Sequence, residues 1–385
     1  MNVLLASSSS GSRGGGEIFL LYLAEGLRSL GHRPSLWTSR HPRMDELACA
    51  FSAFGPVTRA NYRNTYDSPR RAFDVLFSAR RVRNLAREWR TLKPDVLHVN
   101  KQNREDGLDL LRAANATGLA ALATVHITQS ARFLAARGAF LRDTIAAREL
   151  RKFSGPLVAI QGPRADELRA VVGRSKDVRE IANGVPDLAA PVNFERASFR
   201  REHGYSETDL VFVCIARLTA QKDPLGFLDA ARLLRERYPR ARFIWIGDGD
   251  WAARWPRDVA ERGLSEVVRH VGWQADVRPW LHLADVYLHI AKYESFLPLA
   301  VLEAMSASVP VVIGDRLADD VPLLRQREPF LLTETSANDA DLANPGVRSG
   351  WAARGRAVFV ENFSVQAMAR RYASLYEEIR RAAVS

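Results

Sequence analysis

The chain has 385 residues, 47% hydrophobic and 26% charged, enough for two or three globular domains with substantial cores. It holds no apolar run long enough for a transmembrane helix, and its two cysteines, Cys49 and Cys214, are too few for a disulfide framework or a Cys-rich metal site. The net charge of +11 lies wholly in the first half, where residues 1–190 carry 29 Lys+Arg against 18 Asp+Glu, while residues 191–385 carry 26 of each.

The opening stretch MNVLLASSSS lacks a basic n-region and passes early into a Gly/Ser loop, so no signal peptide is predicted and the cytoplasm is the expected compartment. In chain order, strands are predicted at NVLLAS, RPSLWT, VLHVN, ALATVHI and PLVAIQ, with helices between them. The clearest helix runs from Ile18 to Leu30 and ends at Gly31, as a C-capping glycine requires. Residues 181–193, IANGVPDLAAPVN, read as a connection between domains. A second set of strands follows at LVFVCIA, RFIWIGD, VVRHVGW, VYLHI and VPVVIGD, and a helix is predicted over 364–381. Alternating short strands and amphipathic helices imply an α/β chain of two doubly wound, Rossmann-like domains. The expected divisions are 1–188, 189–363 and a C-terminal helical segment, 364–385, packed back on the first domain.

From Ser7 to Gly16 every residue other than Arg13 is Ser or Gly. Such a loop between a strand and a helix lets backbone N–H groups approach an anion, and Gly14, Gly15 and Gly16 remove the Cβ atoms that would hold it off. The spacing is G-x-x-G-G-G, not the dinucleotide G-x-G-x-x-G, and the second strand ends Thr38-Ser39-Arg40 with no acidic residue for a ribose. Only Arg40 leaves room for an NADP-dependent oxidoreductase.

In the second half, IARLTAQKDP places Arg217 and Lys222 between a buried strand and a helix, two cations suited to a diphosphate. Lysine is scarce, six against 49 arginines, so Lys222 stands out from the composition. In KYESFLPLAVLEAM, Glu294 falls in a loop and Glu303 in a helix that Pro298 starts, and two carboxylates so placed can accept hydrogen bonds from sugar or ribose hydroxyls. Asp248 and Asp250 in IGDGD read as a structural turn after an apolar strand.

Taken in order, GGGE (14–17), LAEGLRSLGHRPSLWT, DVLHVN, TVHIT, NGVP, ARLTAQKDP, WIGDGD, VGWQADV and ESFLPLAVLEAMSASVPVV resemble glycosyltransferase family 4 over about residues 1–312. That family comprises retaining enzymes of the GT-B fold, two doubly wound Rossmann-like domains facing a cleft, that use nucleotide-sugar donors. The resemblance implies that the Gly15–Gly16 backbone faces the donor diphosphate, that Arg217 and Lys222 bind it, and that Glu303 holds the ribose. It implies further that Glu294 lies near the transferred sugar, that His126 contacts that sugar, and that Val271 and Gly272 pack on the base. His98 is read as structural. The implied reaction is same-face transfer assisted by the leaving diphosphate, with no metal and no cofactor beyond the donor substrate. The sequence departs from the family pattern in four places: eight residues separate Glu294 from Glu303 where the family has seven, Ala216 and Ser308 stand where glycine is frequent, and 315–324 lacks a glycine-rich turn. A non-catalytic nucleotide- or glycan-binding protein of the same fold is the alternative.

The basic half points to the acceptor. Much of its excess lies in 68–93 and 131–152, and Arg80, Arg83, Arg87 and Arg90 recur at helical spacing opposite Val82, Leu85, Ala86 and Trp89. Such a face attracts an anionic or lipid-linked acceptor, or a membrane surface contacted peripherally; no nucleic-acid partner is expected.

Overall fold

The computed structural model describes the chain except at residues 10, 12, 13, 134, 135, 295, 296, 320–330 and 385. It divides into two compact units, Met1–Gly184 with Val365–Ser385, and Val185–Ser364. The boundaries thus fall at 184/185 and 364/365, not at 188/189 and 363/364. The reason is local: Val185 N donates to Phe363 O at 2.9 Å and Val185 bridges Ser364, which ties both crossing points into the second unit.

In the first unit, parallel strands β1 (Asn2–Ser7), β2 (Arg33–Ser39), β3 (Val57–Ala60), β4 (Val96–Asn103), β5 (Ala121–Ile127), β6 (Leu157–Ala159) and β7 (Val178–Glu180) lie in the order β3-β2-β1-β4-β5-β6-β7. Helices α1 (Gly15–Ser29), α2 (Asp45–Phe51), α3 (Ala79–Thr91), α4 (Leu108–Thr117), α5 (Ala139–Lys152) and α6 (Gly162–Val172) cover both faces. Strand side chains alternate between the layers. Val3 and Leu5 join a core with Leu23 of α1 and Leu47 of α2, whereas Leu4 and Leu97 join one with Trp89 of α3, Leu111 of α4 and Leu150 of α5. Burial on both faces accounts for the nearly continuous apolar strands.

The C-terminal helix, Val365–Val384, belongs to the first layer. A Cβ on Gly26 would stand 2.6 Å from Ala369 Cβ, so glycine is what lets α1 and this helix cross so closely. Tyr376 OH bonds His98 Nδ1 at 2.7 Å and Tyr372 OH bonds Thr124 Oγ1 at 2.9 Å, with Thr124 Oγ1 also 2.8 Å from His98 Nε2. His98 therefore spends both ring nitrogens on the fold.

The second unit repeats the plan with β8 (Leu210–Ile215), β9 (Ala241–Ile246), β10 (Val268–His270), β11 (Val286–His289), β12 (Val311–Ile313) and β13 (Leu332–Thr333), ordered β10-β9-β8-β11-β12-β13. Its helices include α7 (Arg196–Glu202), α8 (Pro224–Arg237), α9 (Trp255–Glu261), α10 (Arg278–Leu283) and α11 (Leu299–Ser306). In both sheets the order reverses beside the first strand, between β1 and β4 and between β8 and β11. Loops leaving such a pair diverge and leave a crevice at the strand ends, where open α/β sheets bind ligands.

Candidate active site

The cations of ARLTAQKDP leave the end of β8 at the second switch point. Two glycines set the loop's path. A Cβ on Gly247 would lie 2.4 Å from Ala216 O, and one on Gly249 would lie 2.2 Å from Leu218 O. Leu218 N donates to Asp248 O at 3.1 Å and Trp251 N to Leu218 O at 3.0 Å, so the Gly-Asp-Gly turn is a backbone clamp on the cationic loop. Arg217 is exposed. Asp223, at φ 45°, closes the loop as N-cap of α8 and accepts from Gly226 N at 3.4 Å.

Glu294 leaves the other strand of the switch point, β11, and meets this loop. Its Oε1 contacts Lys222 Nζ and lies 3.0 Å from His289 Nε2. Lys292 N donates to Gln221 O at 2.9 Å and Gln221 Nε2 to Tyr293 O at 3.3 Å, so backbone as well as charge joins the two loops. Burial alone would raise the Glu294 carboxyl, but the Lys222 charge and the His289 hydrogen bond outweigh it and hold the group below its ordinary value. His289 is buried and its own value is lowered by that burial, so it is neutral at pH 7 and donates through Nε2. Tyr287 OH accepts from Ile215 N at 3.4 Å, which anchors the group to β8, and its one proton has two acceptors in reach, the bare His289 Nδ1 at 3.4 Å and Ile215 O at 3.2 Å.

Glu303 is buried on α11, whose N-cap is Pro298. Both Glu303 and Glu294 lie close enough to Tyr287 to add to the upward push that burial gives its hydroxyl. Glu303 lies inside α11, which begins at Leu299; Ser295 and Phe296, between the two glutamates, lie outside the described residues. Ser308 follows α11 at φ 58°, the left-handed region in which glycine is frequent. Of the 315–324 stretch, the helix Asp315–Asp319 is described and the remainder is not. Val271 N bonds Trp245 O at 3.1 Å and Gly272 turns at φ 69°, which leaves Trp273 exposed beside them. Asp248 accepts from Trp273 N at 3.2 Å, and among the described residues no three His, Cys, Asp or Glu side chains cluster as a metal site requires.

In the first unit the glycines of the opening loop have individual uses. A Cβ on Gly14 would collide with the Glu17 carboxylate at 2.2 Å, and one on Gly16 with the Gln102 amide at 2.1 Å. The space beside Gly14 and Gly16 is thus taken by the ends of two of the protein's own side chains, and Gly15 is the exposed glycine of the three. Gly16 O accepts from Asn100 Nδ2 at 2.9 Å, which turns Asn100 Oδ1 toward His126 Nε2 at 2.8 Å. A carbonyl can only accept, so His126 donates through Nε2 and keeps Nδ1 unprotonated. Burial pushes His126 down to about 4, and Phe19 packs edge-on against its ring at 4.8 Å.

Sequence reasoning missed His289 and Tyr287. A histidine within the apolar strand VYLHI, five residues before Glu294, was the available signal.

Residues 13–187 match the family described as Glycosyltransferase Family 4, and residues 209–344 match Glycosyl transferases group 1. Together they take in most of both units. The chain belongs to glycosyltransferase family 4. This family-4 chain is 28% identical over 152 residues to EpsD of Bacillus subtilis, covering 40% of each. It is 28% identical over 144 residues to the UDP-Gal:alpha-D-GlcNAc-diphosphoundecaprenol alpha-1,3-galactosyltransferase of Escherichia coli, covering 36% of this chain and 35% of that one. The alignments thus span well under half the length of these curated relatives. Anabaena HepE, solved in complex with UDP, superposes with a TM-score of 0.75 at 16% identity over 98% of this chain and 100% of that one. WaaG, a glycosyltransferase involved in lipopolysaccharide biosynthesis, superposes with a TM-score of 0.65 at 15% identity over 98% and 99%. The fold is GT-B. Among the described residues no helix is long and apolar enough to cross a membrane.

Proposed function

We propose that this protein transfers a sugar from a nucleotide-diphosphate sugar to an acceptor hydroxyl, with retention of anomeric configuration and without a metal ion. The observation that carries the reading is the meeting of Lys222, Glu294 and His289 at the switch point of the second unit, with Arg217 exposed on the same loop. Arg217 and Lys222 offer the donor diphosphate a fork and a point charge, and they stabilise the negative charge that grows as the sugar–phosphate bond breaks. Glu294 is held ionised, which makes it a weak proton acceptor and a good acceptor of sugar hydroxyl hydrogen bonds. The base is then the leaving diphosphate: its oxygen takes the acceptor's proton on the face where the new bond to the anomeric carbon forms. Glu303 receives the ribose, Val271–Gly272 the base, and Gly15, Gly16 and His126 serve the donor from the first unit. His126 offers Nδ1 as an acceptor for a sugar hydroxyl.

HepE was solved with UDP and with UDP-glucose, and the E. coli relative is named for UDP-galactose and a diphosphoundecaprenol-linked acceptor. These names support a uridine-diphosphate sugar as donor and an anionic or lipid-linked acceptor. The test is donor consumption with uridine-diphosphate sugars in EDTA, with the product's anomeric configuration read by NMR. Metal-independent consumption and a retained configuration are expected; inversion, or activity restored only by Mg²⁺ or Mn²⁺, overturns the mechanism.

A further inference from the structure

Among the described residues, three phenylalanines are more than half exposed: Phe77 at 72%, Phe133 at 58% and Phe140 at 77%. All three fall within the two arginine-rich stretches of the first unit, 68–93 and 131–152. Leu76 and Leu141 stand exposed beside them. The placement is not scattered. The 3-10 segment Arg71–Phe77 packs against α5, and α3 and α5 both pack against α4, so the two stretches share one layer on the same side of the sheet.

The charges of this layer sort into two kinds. Every acidic residue of the two stretches is engaged: Asp74 by Arg81 at 2.9 Å, Glu88 by Trp37 Nε1 at 3.0 Å, Asp143 by Arg104 at 3.1 Å and Glu149 by Arg112 at 2.6 Å. Some arginines are spent as well. Arg90 donates to Thr117 O and Ala116 O at the end of α4, which holds its guanidinium against that helix end while its charge remains. Arg80, Arg83, Arg87, Arg132, Arg137 and Arg148 are exposed and form no ion pair among the described residues. Arg70 lies over the Phe77 ring at 5.3 Å.

We propose that this face of the first unit docks on an anionic lipid bilayer, with Phe77 and Phe140 as apolar anchors and the unpaired arginines meeting lipid phosphates. Long-range attraction comes from the cations; insertion of isolated apolar side chains to headgroup depth then holds the protein. A nucleic acid would meet the same charges but gain nothing from Leu76 and Leu141. The core of a protein–protein interface is depleted in charge, whereas these exposed apolar side chains lie in segments that also carry the six unpaired arginines. The inference extends the proposed lipid-linked acceptor by naming the surface that brings the enzyme to it.

Co-sedimentation with vesicles of phosphatidylcholine alone, and with one-third phosphatidylglycerol, tests it. Binding only to the anionic vesicles is expected, weakening as salt rises. Each cation near such a surface is worth about fivefold, so R80Q/R83Q/R87Q should lower partitioning roughly a hundredfold and flatten the salt dependence. F77S and F140S should each lower it about tenfold while leaving the salt dependence intact. Donor hydrolysis, and turnover of an uncharged water-soluble acceptor, without vesicles should be unchanged in all these variants, so loss of docking is separable from failure of the transfer reaction. No anionic binding at low salt, binding untouched by the phenylalanine changes, or a dimer that those changes dissolve would overturn the proposal.

Discussion

His289 Nε2 lies 3.0 Å from Glu294 Oε1, the same oxygen that Lys222 contacts. A neutral donor and a cation share one carboxylate oxygen, and the histidine is fixed from behind by Tyr287. His289 therefore positions Glu294 without carrying charge. His289→Leu should lower kcat ten- to hundredfold, roughly the worth of one hydrogen bond to a charged group, with the affinity for free nucleotide nearly unchanged. His289→Gln retains a donor and should recover most of the loss. Equal kcat values for Leu and Gln variants would reduce His289 to packing.

The two cations should separate by what else they lose. Arg217→Ala and Lys222→Ala should each cost about a hundredfold in turnover, on the order of 3 kcal/mol of transition-state stabilisation. Arg217 is exposed, so its loss should leave thermal stability unchanged. Lys222→Ala strands the buried Glu294 carboxylate and should lower the melting temperature as well. Near-wild-type kcat for both variants contradicts the donor site.

Ser308 holds φ 58° just after α11, with its N–H bonded to Met305 O at 3.1 Å. A left-handed backbone costs a residue with a Cβ about 1–2 kcal/mol, against which glycine's greater unfolded-state freedom offsets part. Ser308→Gly should therefore stabilise by about 0.5–1 kcal/mol, read from the midpoint of urea unfolding. A lower midpoint would contradict the assigned conformation.

The buried histidines predict a pH dependence of stability. Burial holds His98 at about 3 and His126 at about 4, both below the ordinary 6.5. Below pH 6.5 the unfolded chain takes up protons that the folded chain refuses. Their contribution is complete above that value and is lost as pH falls toward 4, at about 1.4 kcal/mol per pH unit for each histidine. Urea midpoints should drop steadily between pH 6.5 and 4.5, and His98→Gln should make the drop shallower. A flat profile over this range would contradict neutral burial.

Much of the fold was legible because the strands are buried on both faces. NVLLAS and ALATVHI are β1 and β5 to the residue. The missed strands are edge pieces: Val57–Ala60, Val178–Glu180 and Leu332–Thr333 each pair on one side only, and each is short with polar residues in it. Residue types in the cationic and glutamate loops were readable, but their meeting depends on β8 lying beside β11, a pairing of distant segments. The glycines of the opening loop were read as clearing room for a donor phosphate. What approaches Gly14 and Gly16 is Glu17 and Gln102, which no local pattern could reveal.

The central claim is that the second unit holds a nucleotide diphosphate through Arg217 and Lys222. Isothermal titration calorimetry with UDP in EDTA, on wild-type protein and on Arg217→Ala, addresses it most directly. The account predicts stoichiometric binding to the wild type, weakened at least tenfold in the variant, consistent with loss of a charge-assisted hydrogen bond. UDP binding of equal strength in both proteins, or no binding of any nucleoside diphosphate, would contradict it.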